Sequence, residues 1–113
     1  MAITYIKAFQ PVVLGTSLSS LYVVPVQPTT NLLRGGRIRL SNTTSGAVQV
    51  SLHAVPVGGS ASDGNKFLPS KSIPANDYMD VDVPAMQAGD FIQAIAGAAS
   101  SITAEWMAGA LFS

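Results

Sequence analysis

The sequence contains no cysteine, one histidine, and only six basic and six acidic side chains in 113 residues. Without cysteine there is no disulfide framework, thiolate zinc site, iron–sulfur cluster or thiol nucleophile. The shortage of charge is more informative. For a chain of 11.7 kDa, surface scaling gives an unfolded area of roughly 17,000 Å² and a folded area of roughly 5,900 Å², so about 65% of the surface is buried on folding. That suffices for one ordinary core, and the length sets a single domain over 1–113. The charges then number roughly one per 490 Å² of folded surface, against about one per 210 Å² for an average domain. With a net charge of zero, a free monomer would lack the usual source of solubility.

Other signals are missing as well. The opening MAITYIKAFQPVVLG has no basic region leading into an apolar run, so it does not read as a secretory signal. No segment reaches the roughly 20 apolar residues of a membrane span, and the alanine-rich stretch 94–113 is broken by Gly97, Ser100, Ser101, Glu105 and Gly109. There is no basic excess to suggest nucleic acid. At 48% hydrophobic residues, disorder is excluded too. The simplest account of an apolar, weakly charged, folded chain is that other protein copies cover much of its surface.

What is present is period-2 alternation. Arg37-Ile38-Arg39-Leu40-Ser41, Val48-Gln49-Val50-Ser51-Leu52-His53 and Tyr78-Met79-Asp80-Val81-Asp82-Val83 each alternate polar and apolar residues, the pattern of a half-buried strand. Turn-forming clusters separate them at 28–31, 42–46, 58–65, 74–77 and 88–90. The spacing predicts strands over 3–14, 19–25, 32–42, 47–57, 66–73, 78–84, 91–97 and 102–112. Eight such strands make an all-β chain, a single antiparallel β-sandwich of jelly-roll type. Pro25, Pro56 and Pro84 should close strands and Pro69 should mark an edge. Gly35-Gly36 reads either as a hairpin turn splitting 32–42 or as a bulge within one long strand.

The last strand carries Ile102, Ala104, Trp106, Ala108 and Phe112 on one face and Thr103, Met107 and Leu111 on the other, with Glu105 the only charge. The N-terminal run carries Val12, Val13 and Leu14 in succession. Such strands are either central or packed against a neighbour, and packing between subunits is the expectation. Residues 1–14 are expected to form an extended arm or edge strand involved in assembly. The residues expected at an interface are Tyr5, Phe9, Val12, Arg37, Arg39, Asp80, Asp82, Trp106, Met107, Leu111 and Phe112.

Catalytic constellations are weak. His53 sits in the polar phase of its strand and reads as a solvent-facing or subunit-bonded histidine rather than a base or metal ligand. Asp80 and Asp82 share a strand face at about 7 Å, a spacing compatible with Ca²⁺ beside Asp77 or with an acid/base pair. No Gly-containing calcium loop accompanies them, so a solvated strand face is the simpler reading. Arg34, Arg37 and Arg39 form the basic cluster, too small and too poor in interleaved aromatics for nucleic acid. The economical reading is that Arg37 and Arg39 meet Asp80 and Asp82 across a sheet or a subunit boundary. The stretch 56–64 lacks the Lys-Ser/Thr ending of a phosphate loop and reads as a flexible tip. No G-x-S-x-G elbow occurs. The chain is expected to be no enzyme, with no cofactor and no metal.

Ser20-Leu21-Tyr22-Val23-Val24-Pro25, the run from Arg37 to Thr44, the run from Val48 to Ser60, and Met86-Gln87-Ala88-Gly89-Asp90-Phe91-Ile92-Gln93-Ala94 together resemble a family of small β-sandwich proteins. These belong to the virion structural proteins of tailed bacteriophages and prophages. The resemblance covers about residues 20–97. It implies a structural role without catalytic residues, most simply that of a capsid decoration (cement) protein. Such a protein self-associates as a trimer or, less favoured, a dimer, and binds the major capsid protein or another virion protein on the outer capsid surface after synthesis in the host cytoplasm. Tail, neck or baseplate components are the alternative within that class. A carbohydrate- or receptor-binding module using Tyr78 or Trp106 is the alternative outside it. Neither nucleic acid nor membrane is an expected partner.

Overall fold

The computed structural model describes residues 2–113; the first residue of the expected 1–14 arm lies outside them. Ten strands follow one another: β1 (Ile3–Tyr5), β2 (Val12–Val13), β3 (Ser19–Val23), β4 (Leu32–Asn42), β5 (Val48–Val55), β6 (Lys66–Ile73), β7 (Asp77–Asp82), β8 (Met86–Gln87), β9 (Phe91–Ala96) and β10 (Ile102–Phe112). They form two antiparallel sheets. The first, six-stranded, runs β1-β10-β4-β7, with β2 also on β10 and β8 also on β4; the second runs β3-β9-β5-β6. Taken as segments, β1 with β2 and β7 with β8 each act as one interrupted strand, which leaves eight segments in the order of a jelly roll. The fold is an all-β antiparallel sandwich. Its accessible surface, 5894 Å², matches the roughly 5,900 Å² expected from mass.

The core lies between the sheets. Leu33, Ile38, Leu40 and Ile102 come from the first sheet, and Val50, Leu52, Ile73 and Ile92 from the second. The prolines behave as their missing N–H dictates: Pro25, Pro56 and Pro84 follow strand ends, and Pro69 lies on β6, the outermost strand of the second sheet. Gly35-Gly36 is a bulge, not a turn. Gly35 has φ +69°, and the β4–β10 register shifts on either side of Ala108. The bulge inverts the strand phase, so Leu33 and Ile38 both point inward although five residues apart.

Buried polar side chains pin the two ends. At one end the Asn42 amide on β4 donates to the carbonyls of Gly46 (2.8 Å), Ile73 (3.0 Å) and Pro74 (3.2 Å), and its oxygen accepts from Thr44 N and Oγ1. A side chain of the first sheet thereby holds the turn at the end of β6 in the second. At the other end the Asp90 carboxylate accepts from Val57 N (3.0 Å) and Gln87 N (2.8 Å), while Gly89 N donates to Val24 O and Val24 N to Asp90 O. Gly89 has φ +87°, and a Cβ there would stand 2.7 Å from Val57 Cγ2, so only glycine fits. The Val24-Pro25, Pro56-Val57 and Gly89-Asp90 motifs, far apart in sequence, are thus one knot of loops.

Two expectations change. The segment 3–14 is not one strand: β1 and β2 both lie along β10, separated by a six-residue stretch that turns Ile6, Ala8 and Phe9 into the core. His53 and Ser51 are not solvent-facing; they are 5% and 6% exposed. His53 lies between Gln93 on β9 and Lys66 on β6, and its Nδ1 meets Asn65 Oδ1 at 3.0 Å. Because Asn65 Nδ2 donates to Ser60 O and Ser62 N donates to Asn65 Oδ1, that oxygen is an acceptor and His53 Nδ1 carries the proton. The 58–65 segment is therefore not a loose tip. It is tied through Asn65 to the outer side of β5, and its 3₁₀ turn over Asp63–Asn65 leads directly into β6.

Candidate assembly surface

Register defines what the outer face of the first sheet presents, since directly paired residues share a face. Row by row it carries Ile3, Phe112, Leu32 and Gln87; then Tyr5, Ala110 and Arg34; then Ala108, Arg37 and Asp82; then Glu105, Arg39 and Asp80; and last Val13, Thr103, Ser41 and Tyr78. Glu105 and the Arg37, Arg39, Asp80 and Asp82 side chains lie in the middle rows, Arg34 stands toward one end, and apolar side chains hold both ends.

Two arginine–aspartate pairs lie in the middle rows. Arg39 Nε and Nη2 donate to Asp80 Oδ1 (2.8 Å) and Oδ2 (3.0 Å), a bidentate pair, and Arg37 Nε donates to Asp82 Oδ1 at 3.2 Å. Arg39 also lies over the Tyr78 ring, 4.3 Å from its centroid. The hydrogen bond from Arg39 holds the Asp80 carboxyl below its ordinary range; partial desolvation opposes this, and the charges of Arg39 and Arg37 add to it. The pairing joins neighbouring strands of one chain, with Arg39 opposite Asp80 rather than Asp82. A charge exchange that probes it must therefore involve Arg39 and Asp80. Asp80 has both oxygens on Arg39, and Asp82 has one on Arg37, so neither stands as the free carboxylate of a calcium site or an acid/base couple.

At the end nearest the termini, Ile3, Thr30, Leu32, Arg34, Phe112 and Ser113 line an open groove of about 620 Å³. Arg34 lies over the Phe112 ring at 5.6 Å and enters no ion pair among the described residues. Tyr5, 87% exposed, lines an adjoining groove that shares Arg34 and Phe112. At the far end, Val13 and Tyr78 are each more than half exposed.

Of the residues expected at an interface, Tyr5, Arg37, Arg39, Asp80, Asp82 and Phe112 come together on this face. Val12 sits on its rim strand, and Met107 is exposed where β10 bulges. Phe9, Trp106 and Leu111 point into the molecule instead. Trp106 is 7% exposed; its Nε1 donates to Ile6 O at 2.8 Å, Phe9 meets it edge-on at 5.8 Å, and Tyr22 tilts against it at 6.4 Å. Burial raises the Tyr22 phenol pKa. A Cβ on Gly36 would stand 2.9 Å from the indole, and one on Gly109 would collide with it. Trp106 is thus the internal peg that fastens residues 6–9 to β10, so it offers no platform for a sugar.

Sequence reading missed Ile3, Leu32, Val13 and the role of Arg34. Ile3 alternates with Tyr5 and was legible on that ground. Leu32 was hidden, because the bulge at Gly35 reverses the phase between it and Ile38.

No protein-family model matches the chain, and no curated protein matches it. Solved structures do. A chain from the disulfide-linked pili of Bacillus endospore appendages superposes with a TM-score of 0.60 at 11% identity, over 98% of this chain and 88% of that one. Chains of infectious bursal disease virus superpose over 97% of this chain, with TM-scores of 0.54 at 12% identity for the Gx strain and 0.56 at 10% for the VP2 subviral particle. This chain spans about a third of those viral chains, 32% in each case. At these identities the likeness is one of fold: an all-β sandwich found in a bacterial appendage and in virus particles.

Proposed function

We propose that the chain is a non-enzymatic structural subunit of a phage virion, a capsid decoration protein that self-associates and stabilises the shell from its outer surface. The observation that carries this reading is the outer face of the first sheet. Exposed apolar side chains stand at both ends, two central arginines pair with aspartates, and the whole chain has only six charges of each sign to keep it dissolved. A surface of this kind is stable when covered. Burial is worth roughly 25 cal/mol per Å² of apolar area, less the costs of association, and symmetric self-association multiplies modest contacts by avidity. A trimer is favoured over a dimer, with the major capsid protein as the second partner. The sandwich shared with a pilus subunit and with virus particles supports an assembly role. The absence of cysteine separates this chain from a pilus linked by disulfides.

Nucleic acid fits poorly as a partner, because two of the three clustered arginines are engaged by aspartates. Among the described residues no helix is long and apolar enough to cross a membrane. The deciding experiment is electron microscopy of the source particle. Density for this chain on the outer shell is the expected result. Density in the tail alone, or none in the particle, would overturn the decoration role.

A further inference from the structure

We infer that copies of this chain join head to tail, the Arg34 groove of one receiving the Asp77–Tyr78 corner of the next. The inference rests on the self-association proposed above, not on the virion location. It begins from the inventory of charge among the described residues. Of the six carboxylates, Asp80 and Asp82 are paired with arginines, Asp63 reaches Lys66 at 3.4 Å, Asp90 is taken up by two backbone N–H groups, and Glu105 shares a row with Arg39. Asp77 has neither a cationic neighbour nor a second N–H; its Oδ1 accepts only the N–H of Tyr78 at 2.7 Å. Of the cations left without an ion pair, Arg34 alone lines a groove, with its guanidinium on the Phe112 ring between two apolar hollows. One end of the sheet therefore offers a cation in an apolar groove. The other offers a carboxylate beside an aromatic ring that is 56% exposed, on the turn made by the left-handed Asn76.

The two ends cannot meet within one molecule. Asp77 pairs with Asn42, eight residues along β4 from Arg34, or roughly 26 Å at the rise of a strand. A contact between unlike patches at opposite ends of one sheet is heterologous; such contacts close into a ring where the rotation between copies closes and run on as a filament where it does not. A ring of three agrees with the favoured trimer. In it an Arg34–Asp77 pair would be sheltered by Phe112, Leu32 and Tyr78, which sets register between copies and rejects unlike partners.

The test is the solution mass of the full chain, by light scattering after gel filtration, for the wild type, Arg34→Asp, Asp77→Arg and the double exchange. The expected result is a mass of three chains for the wild type, one chain for each single variant, and three chains again for the double exchange. Each single variant should still unfold cooperatively, at a midpoint lowered only by the lost association, and the double exchange should restore the wild-type midpoint. A monomeric wild type, single variants that keep the trimer, or single variants that dissociate without rescue by the double exchange would each overturn the inference. None of these results moves the microscopy test of virion location. Loss of particle binding by Arg34→Asp with its oligomeric mass intact would assign the groove to the capsid partner instead.

Discussion

The two outer faces of the sandwich are built on the same alternation and end up as different surfaces. On the second sheet the outward rows set Ile95, Phe91 and Val23 beside neutral polar side chains and Lys66, and several of the polar ones bond one another. Ser51 Oγ accepts from Ser70 N at 2.9 Å, Gln93 Nε2 reaches Ser20 Oγ, and His53 is held under Asn65. On the first sheet the outward polar groups are charged in the centre, while Ile3, Tyr5, Val13 and Tyr78 stand exposed around them. The polar groups named on the second face are satisfied inside the chain. The first pairs its central arginines with aspartates and leaves apolar area open around them. The two faces therefore differ in what they leave open: paired charge among exposed apolar side chains on the first, bonded polar groups beside Val23 on the second.

The largest effect should come from removing what holds the first face together. Trp106→Ala deletes the peg under β1, leaves Ile6 O without its donor and opens the space bounded by Gly36 and Gly109. A loss of about 3–5 kcal/mol is expected, read as a lower denaturant midpoint, with amide protection lost first in residues 3–9. The counterpart on the second face is Asn65→Ala. It frees Ser60 O, Ser62 N and buried His53 Nδ1 and should cost about 1–3 kcal/mol, with proteolysis appearing at 58–65. If the two variants lose protection in the same region, the faces are not independently held and the contrast fails.

The contrast also shows what the alternation could and could not tell. Strand positions were legible because period 2, turn clusters and prolines all agree on them, down to Pro69 on an edge. Arg39 opposite Asp80 was legible as an idea, since both lie in the outward phase, but the partner strand and the offset were not. The misreadings share a cause. Alternation says which side chains leave the sheet on the same side, not what lies over that side. Ser51 and His53 left on the polar side and were covered by the chain's own β6 and Asn65. Trp106 left on the apolar side and met residues 6–9 instead of a neighbour. Bulges are the other blind spot: one extra residue at Gly35 inverts the phase, so Leu32 and Arg34 could not be placed on the outer face together with Arg37 and Arg39.

A smaller effect sharpens the comparison without disturbing the fold. Tyr5→Glu and Gln49→Glu each put one carboxylate on an exposed strand position, the former on the outer face of the first sheet and the latter on that of the second. Neither should change stability by more than about 0.5 kcal/mol. Tyr5→Glu should lower the average mass in solution at a given concentration, because it places a charge on area that association would bury; Gln49→Glu should leave the mass unchanged. An equal response from both would mean that assembly is governed by net charge rather than by a particular face.

The smallest effect belongs to the charged centre. Asp80 titrates below its ordinary value in the folded chain, chiefly because Arg39 hydrogen-bonds its carboxylate. A group whose folded pKa is depressed contributes stability that is complete above its unfolded value, 3.8, and lost as pH falls through the lower folded value. Melting temperatures of the wild type and Asp80→Asn should therefore differ from neutral pH down to about 4 and converge below it. Added salt should narrow the gap only partly, since the bidentate geometry and the Tyr78 ring under Arg39 hold the pair in place. Arg39→Lys keeps the charge but not the fork, so it should fall between the two. A gap that persists unchanged at pH 2 would show that Asp80 acts through packing on β4 rather than through its charge, and the paired band across the first sheet would then be a matter of shape.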